Sequence, residues 1–335
     1  MKIGINGLGR IGRCLIRCIY ENNSIYKDFL ELSALNGSTL PEIHAHLIQY
    51  DSVHGKFPHD VTYGKDYIAI NNKEIPLSIE KEPNNIPWEK HNVDIVLECT
   101  GKFNKKPLAK VHINSKVKKV VVSAPMEDPD VTIVYGVNNE MLKNEHQVIS
   151  AGSCTTNCIA PILKIMNDTI GIKNGFITTI HSYTNDQNLV DNNHKDLRRA
   201  RASAMSMIPT TTGATKTINS IIPELKGKLN GTAIRVPTPN VSMIDLVFNS
   251  IKSTNSTEIN NIIKELSQNS QVINITDKKL VSIDFCHSIY SAIVDAEETY
   301  VTDNNLCRIA AWYDNEWAFA MRMLDIVCLL SQHIN

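Results

Sequence analysis

The chain has 335 residues, 42% of them hydrophobic and 21% charged, which is enough apolar residue for a sizeable core and for about two domains. Lys+Arg is 34 against Asp+Glu 35, a net charge of −1 that argues against a nucleic-acid-binding surface. Its 8 cysteines are too dilute for a disulfide scaffold and form no CxxC pair, so no metal site is expected and a reducing, cytoplasmic setting fits.

The sequence opens on Lys2–Asn6, which reads as a buried strand and leaves no room for a signal peptide. No apolar run approaches the ~18 residues of a membrane span. Gly9–Tyr20 reads as helix, Leu32–Leu35 as strand and Pro41–Tyr50 as helix. A hairpin is expected between Val61 and Ile79, with Asn71-Asn72 as its turn. Asp94–Glu98 is a strand and Leu108–Ser115 a helix; Lys119–Ser123, Val131–Tyr135 and Gln147–Ser150 are strands. This alternation predicts an α/β fold with a doubly wound, mostly parallel, Rossmann-like sheet. Beyond Ser150 the rhythm changes. Phe176–Ser182, Thr232–Pro237, Ser242–Ser250, Ser291–Asp295 and Leu306–Tyr313 read as strands. Helices are expected at Thr212–Ile222 and Ser256–Asn269. That pattern predicts a second, α+β domain on an antiparallel or mixed sheet. Glu316–Ser331 is apolar at helical spacing and should return to the first domain. The expected division is 1–150 plus 315–335 for dinucleotide binding and 151–314 for catalysis.

Two motifs carry chemistry. Gly7-Leu8-Gly9-Arg10-Ile11-Gly12 is a GxGxxG between a strand and a helix. Gly7 allows the tight turn, Gly9 lets backbone approach a pyrophosphate, and Gly12 lets helix and strand pack. The acidic residue usual at the end of the second strand is missing, because that end reads Asn36-Gly37-Ser38-Thr39. The second motif is Ser153-Cys154-Thr155-Thr156-Asn157-Cys158, where a cysteine opens an apolar helix. A helix start favours the thiolate, and the polar neighbours speak against simple burial. The other cysteines read as small core residues. A thiolate needs a base, and His181 at the end of Phe176–Ile180 is a candidate, though a histidine at a strand end is commonly a surface residue.

These motifs, with Tyr50-Asp51-Ser52-Val53-His54-Gly55, His181-Ser182-Tyr183-Thr184, Thr212-Gly213 and Tyr313-Asp314-Asn315-Glu316-Trp317, resemble glyceraldehyde-3-phosphate dehydrogenase over essentially the whole chain. The resemblance implies a homotetrameric, phosphorylating, NAD-dependent enzyme of glycolysis, acting on a small-molecule substrate and inorganic phosphate, with neither nucleic acid nor membrane as partner. It implies Cys154 as nucleophile and His181 as the base that pairs with it and lowers its pKa. Thr184 and Arg235 would hold the substrate phosphate. Ser153, Thr155, Thr212 and Gly213 would surround the attacking phosphate. Arg199, or its neighbour Arg198, would serve the phosphates as well. On the cofactor side it implies Arg10 and Ile11 at the pyrophosphate turn, Lys81, Thr100, Gly101 and Ser123 near adenosine and ribose, and Asn315 on the nicotinamide carboxamide. Gly37 stands where the family commonly has Asp, and Asn192-Asn193 where many members have Leu-Pro, so NADP tolerance beside NAD is expected. Ala318 replaces the usual Gly after Asn-Glu-Trp. Erythrose-4-phosphate dehydrogenase is the alternative enzyme, and a catalytically silent dinucleotide-binding protein the alternative of another class.

Overall fold

The structure, a computed structural model, describes residues 1–21, 25–26 and 28–331. The chain forms two compact units, Met1–Ser153 with Ala320–Asn335, and Cys154–Phe319.

The first unit starts with β1 (Lys2–Asn6), α1 (Arg10–Glu21), β2 (Glu31–Asn36) and α2 (Pro41–Gln49). β3 (Tyr50–Asp51) and β4 (Gly55–Lys56) pair only with each other. A meander follows of β5 (Val61–Tyr63), β6 (Tyr67–Ile70) and β7 (Lys73–Ser78). Then come β8 (Ile95–Glu98), α3 (Lys106–Lys110), β9 (Lys119–Val122), β10 (Val131–Thr132) and β11 (Val148–Ser150). Nine of these strands form one sheet in the order β10-β11-β9-β8-β1-β2-β7-β6-β5. It is parallel from β10 to β7 and antiparallel only in the meander. β8 and β9 are buried at every position, which is why Ile95-Val96-Leu97 and Val120-Val121-Val122 read as unbroken apolar runs. Asn71 and Asn72 sit at φ 50° and 64°, the left-handed pair that a two-residue hairpin turn needs.

Two expected elements are shorter than their patterns suggest. The helix expected at Leu108–Ser115 is α3, Lys106–Lys110. His112 leaves the helix to bury its ring, where Nδ1 accepts from Trp88 Nε1 at 3.1 Å and Nε2 meets Glu98 Oε2 at 3.1 Å. Asn114 Oδ1 then accepts the N–H groups of Lys116 and Val117, closing an Asx turn. The strand expected at Val131–Tyr135 ends at Thr132. There the Asn138 side chain takes Thr132 O and Val134 N, both at 2.8 Å, replacing a strand neighbour.

The second unit runs α4 (Cys154–Thr169), β12 (Ile172–Ser182), β13 (Ile208–Thr210), α5 (Ala214–Ile221), β14 (Leu229–Val236) and β15 (Ser242–Ser250). It continues with α6 (Ser256–Ser267), β16 (Ile273–Thr276), β17 (Ala292–Thr302) and β18 (Leu306–Tyr313). Its seven-stranded sheet has the order β13-β14-β12-β15-β18-β17-β16 and is mixed, with β12/β14 and β16/β17 parallel. β13 and β16 are too short to have shown as periodic patterns. The last helix, α7 (Trp317–Ser331), begins in this unit and ends in the first. There Tyr26 Oη donates to Asp325 Oδ1 at 2.7 Å, and the Arg322 guanidinium lies 5.6 Å from the Tyr135 ring centre.

Candidate active site

In the first unit the glycine turn joins β1 to α1. Gly7 has φ +97°, and a Cβ there would come within 2.8 Å of Thr100 N. A Cβ on Gly12 would lie 2.0 Å from Gly7 O, so helix and turn touch backbone to backbone. Gly9 is different, because a Cβ there would meet nothing within 4 Å. The protein itself does not require glycine at position 9; a group approaching the backbone from outside would. That fits a pyrophosphate over the turn.

Gly7, Gly9, Gly37, Lys81 and Thr100 line one cavity of about 560 Å³. Of the other expected cofactor residues, Gly101 follows Thr100 with φ +72°, and Ser123 closes β9 with its N–H on Glu98 O at 3.0 Å. Arg10, at the start of α1 with Ile11, holds Asp51 through two hydrogen bonds of 2.5 and 3.1 Å. Burial opposes ionisation of Asp51, but Arg10 and the Val53 and His54 N–H groups outweigh it and hold the carboxyl well below its usual range.

Under the cavity lies a buried network that the sequence did not reveal. Glu98 accepts from Thr100 N at 2.7 Å, Thr100 Oγ1 at 2.5 Å and Asn6 Nδ2 at 2.6 Å. Asn6 Oδ1 accepts from Asn36 Nδ2 at 2.8 Å. The ends of β1, β2 and β8 are thus tied together below the glycine turn. Alternating strand and helix patterns cannot show such a link, since it depends on sheet order.

In the second unit Cys154 is the first residue of α4, and Ser153 immediately before it ends the first unit. Cys154 Sγ lies 3.5 Å from His181 Nε2. The parallel register of β12 and β14 sets His181 beside Arg235. His181 Nδ1 lies 2.7 Å from Ser182 O, and Arg235 Nη1 donates to the same oxygen at 2.9 Å. Nη1 is also 2.7 Å from Nδ1. A proton on Nδ1 would serve Ser182 O and leave Nε2 as an acceptor facing sulfur, whereas a proton on Nε2 would leave Nδ1 to accept from Arg235.

Burial pushes the Cys154 thiol up, against the pull of Arg235 and of hydrogen bonds from Thr155. Burial, with Arg235 second, pushes His181 down to about 3.

Tyr313 completes the floor. Its hydroxyl lies 2.9 Å from both Thr155 Oγ1 and Thr179 Oγ1, and its ring meets the His181 ring edge to face at 5.9 Å. Asn315 Oδ1 accepts from Ser182 Oγ at 2.8 Å and Ser242 Oγ at 2.9 Å, which fixes which end of its amide is the acceptor and which the donor. Asp314 fixes that turn by accepting from the N–H groups of His287, Glu316 and Trp317. Tyr313, Ser182 and Ser242 went unassigned in the sequence, although the run Tyr313–Trp317 was visible as a motif.

The remaining expected residues of this unit have polar partners of their own. Thr184 donates to Gln187 Oε1 through its N–H at 2.9 Å and its hydroxyl at 3.2 Å. Arg199 contacts Asp186, donates to Thr210 Oγ1 at 2.8 Å and lies 3.6 Å from Asp196 Oδ2. Thr212 and Gly213 follow β13, whose Ile208 pairs with Arg235 on β14, and Thr212 Oγ1 accepts from Ala214 N at 3.2 Å.

Comparison with known proteins places these residues in a family setting. Residues 1–106 match the family described as "Glyceraldehyde 3-phosphate dehydrogenase, NAD binding domain", and residues 153–315 match its C-terminal domain. The chain is 48% identical over 327 residues to a glyceraldehyde-3-phosphate dehydrogenase of Xanthobacter flavus, covering 97% of each. It is 44% identical to glyceraldehyde-3-phosphate dehydrogenase 2 of Bacillus subtilis, covering 98% of this chain and 96% of the relative. It is also 44% identical to a glyceraldehyde-3-phosphate dehydrogenase of Pseudomonas aeruginosa, covering 99% of this chain and 98% of the relative.

Proposed function

Because the chain belongs to the glyceraldehyde-3-phosphate dehydrogenase family, we propose that it oxidises glyceraldehyde 3-phosphate to 1,3-bisphosphoglycerate, a step of glycolysis. The observation that carries this reading is Cys154 Sγ at 3.5 Å from His181 Nε2, with Arg235 Nη1 at 2.7 Å from the Nδ1 side of the ring.

As Cys154 Sγ attacks the aldehyde carbon, His181 Nε2 takes the thiol proton and returns it to the carbonyl oxygen, giving a hemithioacetal. The backbone N–H of Cys154 stabilises the oxygen as charge develops. His181 then removes the hemithioacetal O–H proton and a thioester remains on Cys154. NAD, when bound, accepts the hydride released in that step. Inorganic phosphate attacks the thioester carbon and expels the Cys154 thiolate, which recovers its proton from His181.

Thr184 and Arg235 hold the substrate phosphate, and Ser153, Thr155, Thr212 and Gly213 surround the attacking one. Arg199 serves the phosphates once it exchanges part of its Asp186 contact for them, through its planar fork of donors. Gly7, Gly9, Arg10, Ile11 and Gly12 form the pyrophosphate turn. Gly37, Lys81, Thr100, Gly101 and Ser123 hold the adenosine side, and Asn315 donates to the nicotinamide carboxamide. With Gly37 in place of an acid, NADP is used beside NAD, with NAD preferred. The working form is a cytoplasmic homotetramer. Among the described residues no helix is long and apolar enough to cross a membrane.

The test follows absorbance of reduced nicotinamide with glyceraldehyde 3-phosphate, with and without phosphate. Turnover that depends on phosphate is expected. Turnover indifferent to phosphate, or faster with erythrose 4-phosphate, overturns the reading.

A further inference from the structure

Position 37 closes β2, with its N–H on Ser78 O at 2.9 Å, at the place where a ribose-binding carboxylate usually stands. The space beside it is filled. A Cβ on Gly37 would lie 2.3 Å from His44 Nε2 and 2.7 Å from His44 Cδ2. His44, on α2, is 4% exposed, so its ring is held by its surroundings. Nε2 accepts the Ser38 N–H at 3.3 Å, which ties α2 to the turn that follows β2. His44 Nδ1 is buried without a hydrogen-bond partner among the described residues. Burial and the nearby Arg13 disfavour a charge on the ring.

We infer that His44 is a specificity-determining residue for the adenosine ribose, because its ring occupies the volume an acidic side chain at position 37 would need. It touches Gly37 and Ser38 and acts on cofactor choice through them. A carboxylate at 37 would accept both ribose hydroxyls and repel a 2′-phosphate. With His44 in place that carboxylate has nowhere to go, so the subsite lacks its main discriminator against NADP. Of the charged groups that line the cavity, Lys81 and Lys102 are offset by Glu80 and Glu82, so no net charge replaces it. Discrimination at this turn is therefore a property of two residues. This inference rests on the proposed dinucleotide site, and it changes what the obvious substitution should do.

The experiment compares wild type, Gly37→Asp, His44→Ala and the double variant. It reads dissociation constants for NAD and NADP by calorimetry, thermal midpoints, and NAD and NADP turnover. Gly37→Asp alone should lower the midpoint and weaken both cofactors alike, by roughly tenfold, leaving their ratio unchanged. In the double variant NAD binding should recover to within about threefold of wild type while NADP binding falls at least tenfold. His44→Ala alone should leave the ratio within about threefold of wild type. If Gly37→Asp alone raises the NAD preference as far as the double variant does, His44 is no barrier and the inference fails. It fails equally if the double variant keeps the wild-type ratio. Binding of both cofactors without turnover would overturn the proposed reaction, while the binding ratios still decide the part played by His44.

Discussion

His181 turns Nε2 toward Cys154 Sγ at 3.5 Å, with Nδ1 2.7 Å from Ser182 O on the other side of the ring. Cys154→Ser should therefore lose turnover by at least a thousandfold and keep NAD affinity within about twofold, since a hydroxyl is a far poorer nucleophile than a thiol with this base. Calorimetry with NAD alongside the rate assay checks both halves. His181→Asn should slow iodoacetamide alkylation of Cys154 at pH 7, because the amide cannot take the thiol proton. Peptide mapping that found the label on Cys158 would move the nucleophile one turn along α4. Arg235 is the cation that opposes burial at sulfur. Arg235→Gln should shift the alkylation profile to higher pH, whereas a purely substrate-binding Arg235 would change KM and leave that profile alone.

At the scale of elements, the β1–α1 turn and β18 carry the tightest constraints. Gly12→Ala sets a methyl 2.0 Å from Gly7 O and must push α1 off the turn. NAD affinity should fall more than tenfold, with a cost in stability of about 1–3 kcal/mol for overpacking; a wild-type NAD affinity in this variant would show that the turn is not the binding element. Tyr313→Phe leaves two buried threonine hydroxyls without their shared partner, a loss of about 1–3 kcal/mol that a denaturant titration would register. Much of this was legible beforehand. The strand–turn–helix of the glycine motif shows in sequence because each glycine answers a local requirement, and Cys154 shows because polar neighbours are unusual at the start of an apolar helix. Tyr313, Ser242 and Glu98 did not show as functional because their partners lie far along the chain: Tyr313 meets Thr155 across 158 residues. His44 escaped for the same reason in miniature. Nothing in Pro41–Gln49 says that one of its side chains fills the space next to Gly37, and only the folded β2–α2 connection brings the two together.

For the whole molecule, burial of neutral His181 links stability to pH. Its value in the folded chain is about 3 against 6.5 for the free side chain. A depressed value means the unfolded chain binds the proton first, so nothing is lost above pH 6.5 and the penalty grows as pH falls from 6.5 toward 3. At pH 5 it amounts to about 2 kcal/mol. Thermal melts of wild type should fall more steeply between pH 7 and pH 5 than those of His181→Asn, which has no such group; parallel slopes would show that His181 is not buried neutral. Asp51 adds a second loss in the same direction at lower pH, because a carboxyl held below its usual 3.8 contributes stability that fades as pH falls under that value. The course of α7 has a different consequence. The first unit is made from two stretches of chain that the second unit separates, and its Tyr26–Asp325 hydrogen bond joins residues 299 positions apart. On a ribosome, residues 154–319 are a continuous stretch and are all synthesised before the first unit has its last piece. A nascent chain stopped at Phe319 has every strand of both sheets but leaves Tyr26 and Tyr135 without Asp325 and Arg322. Translation order thus opposes the usual sequence of N-terminal domain first, and a vulnerable interval, open to proteases and chaperones, lasts until the stretch that begins at Ala320 has left the ribosome and joined the first unit.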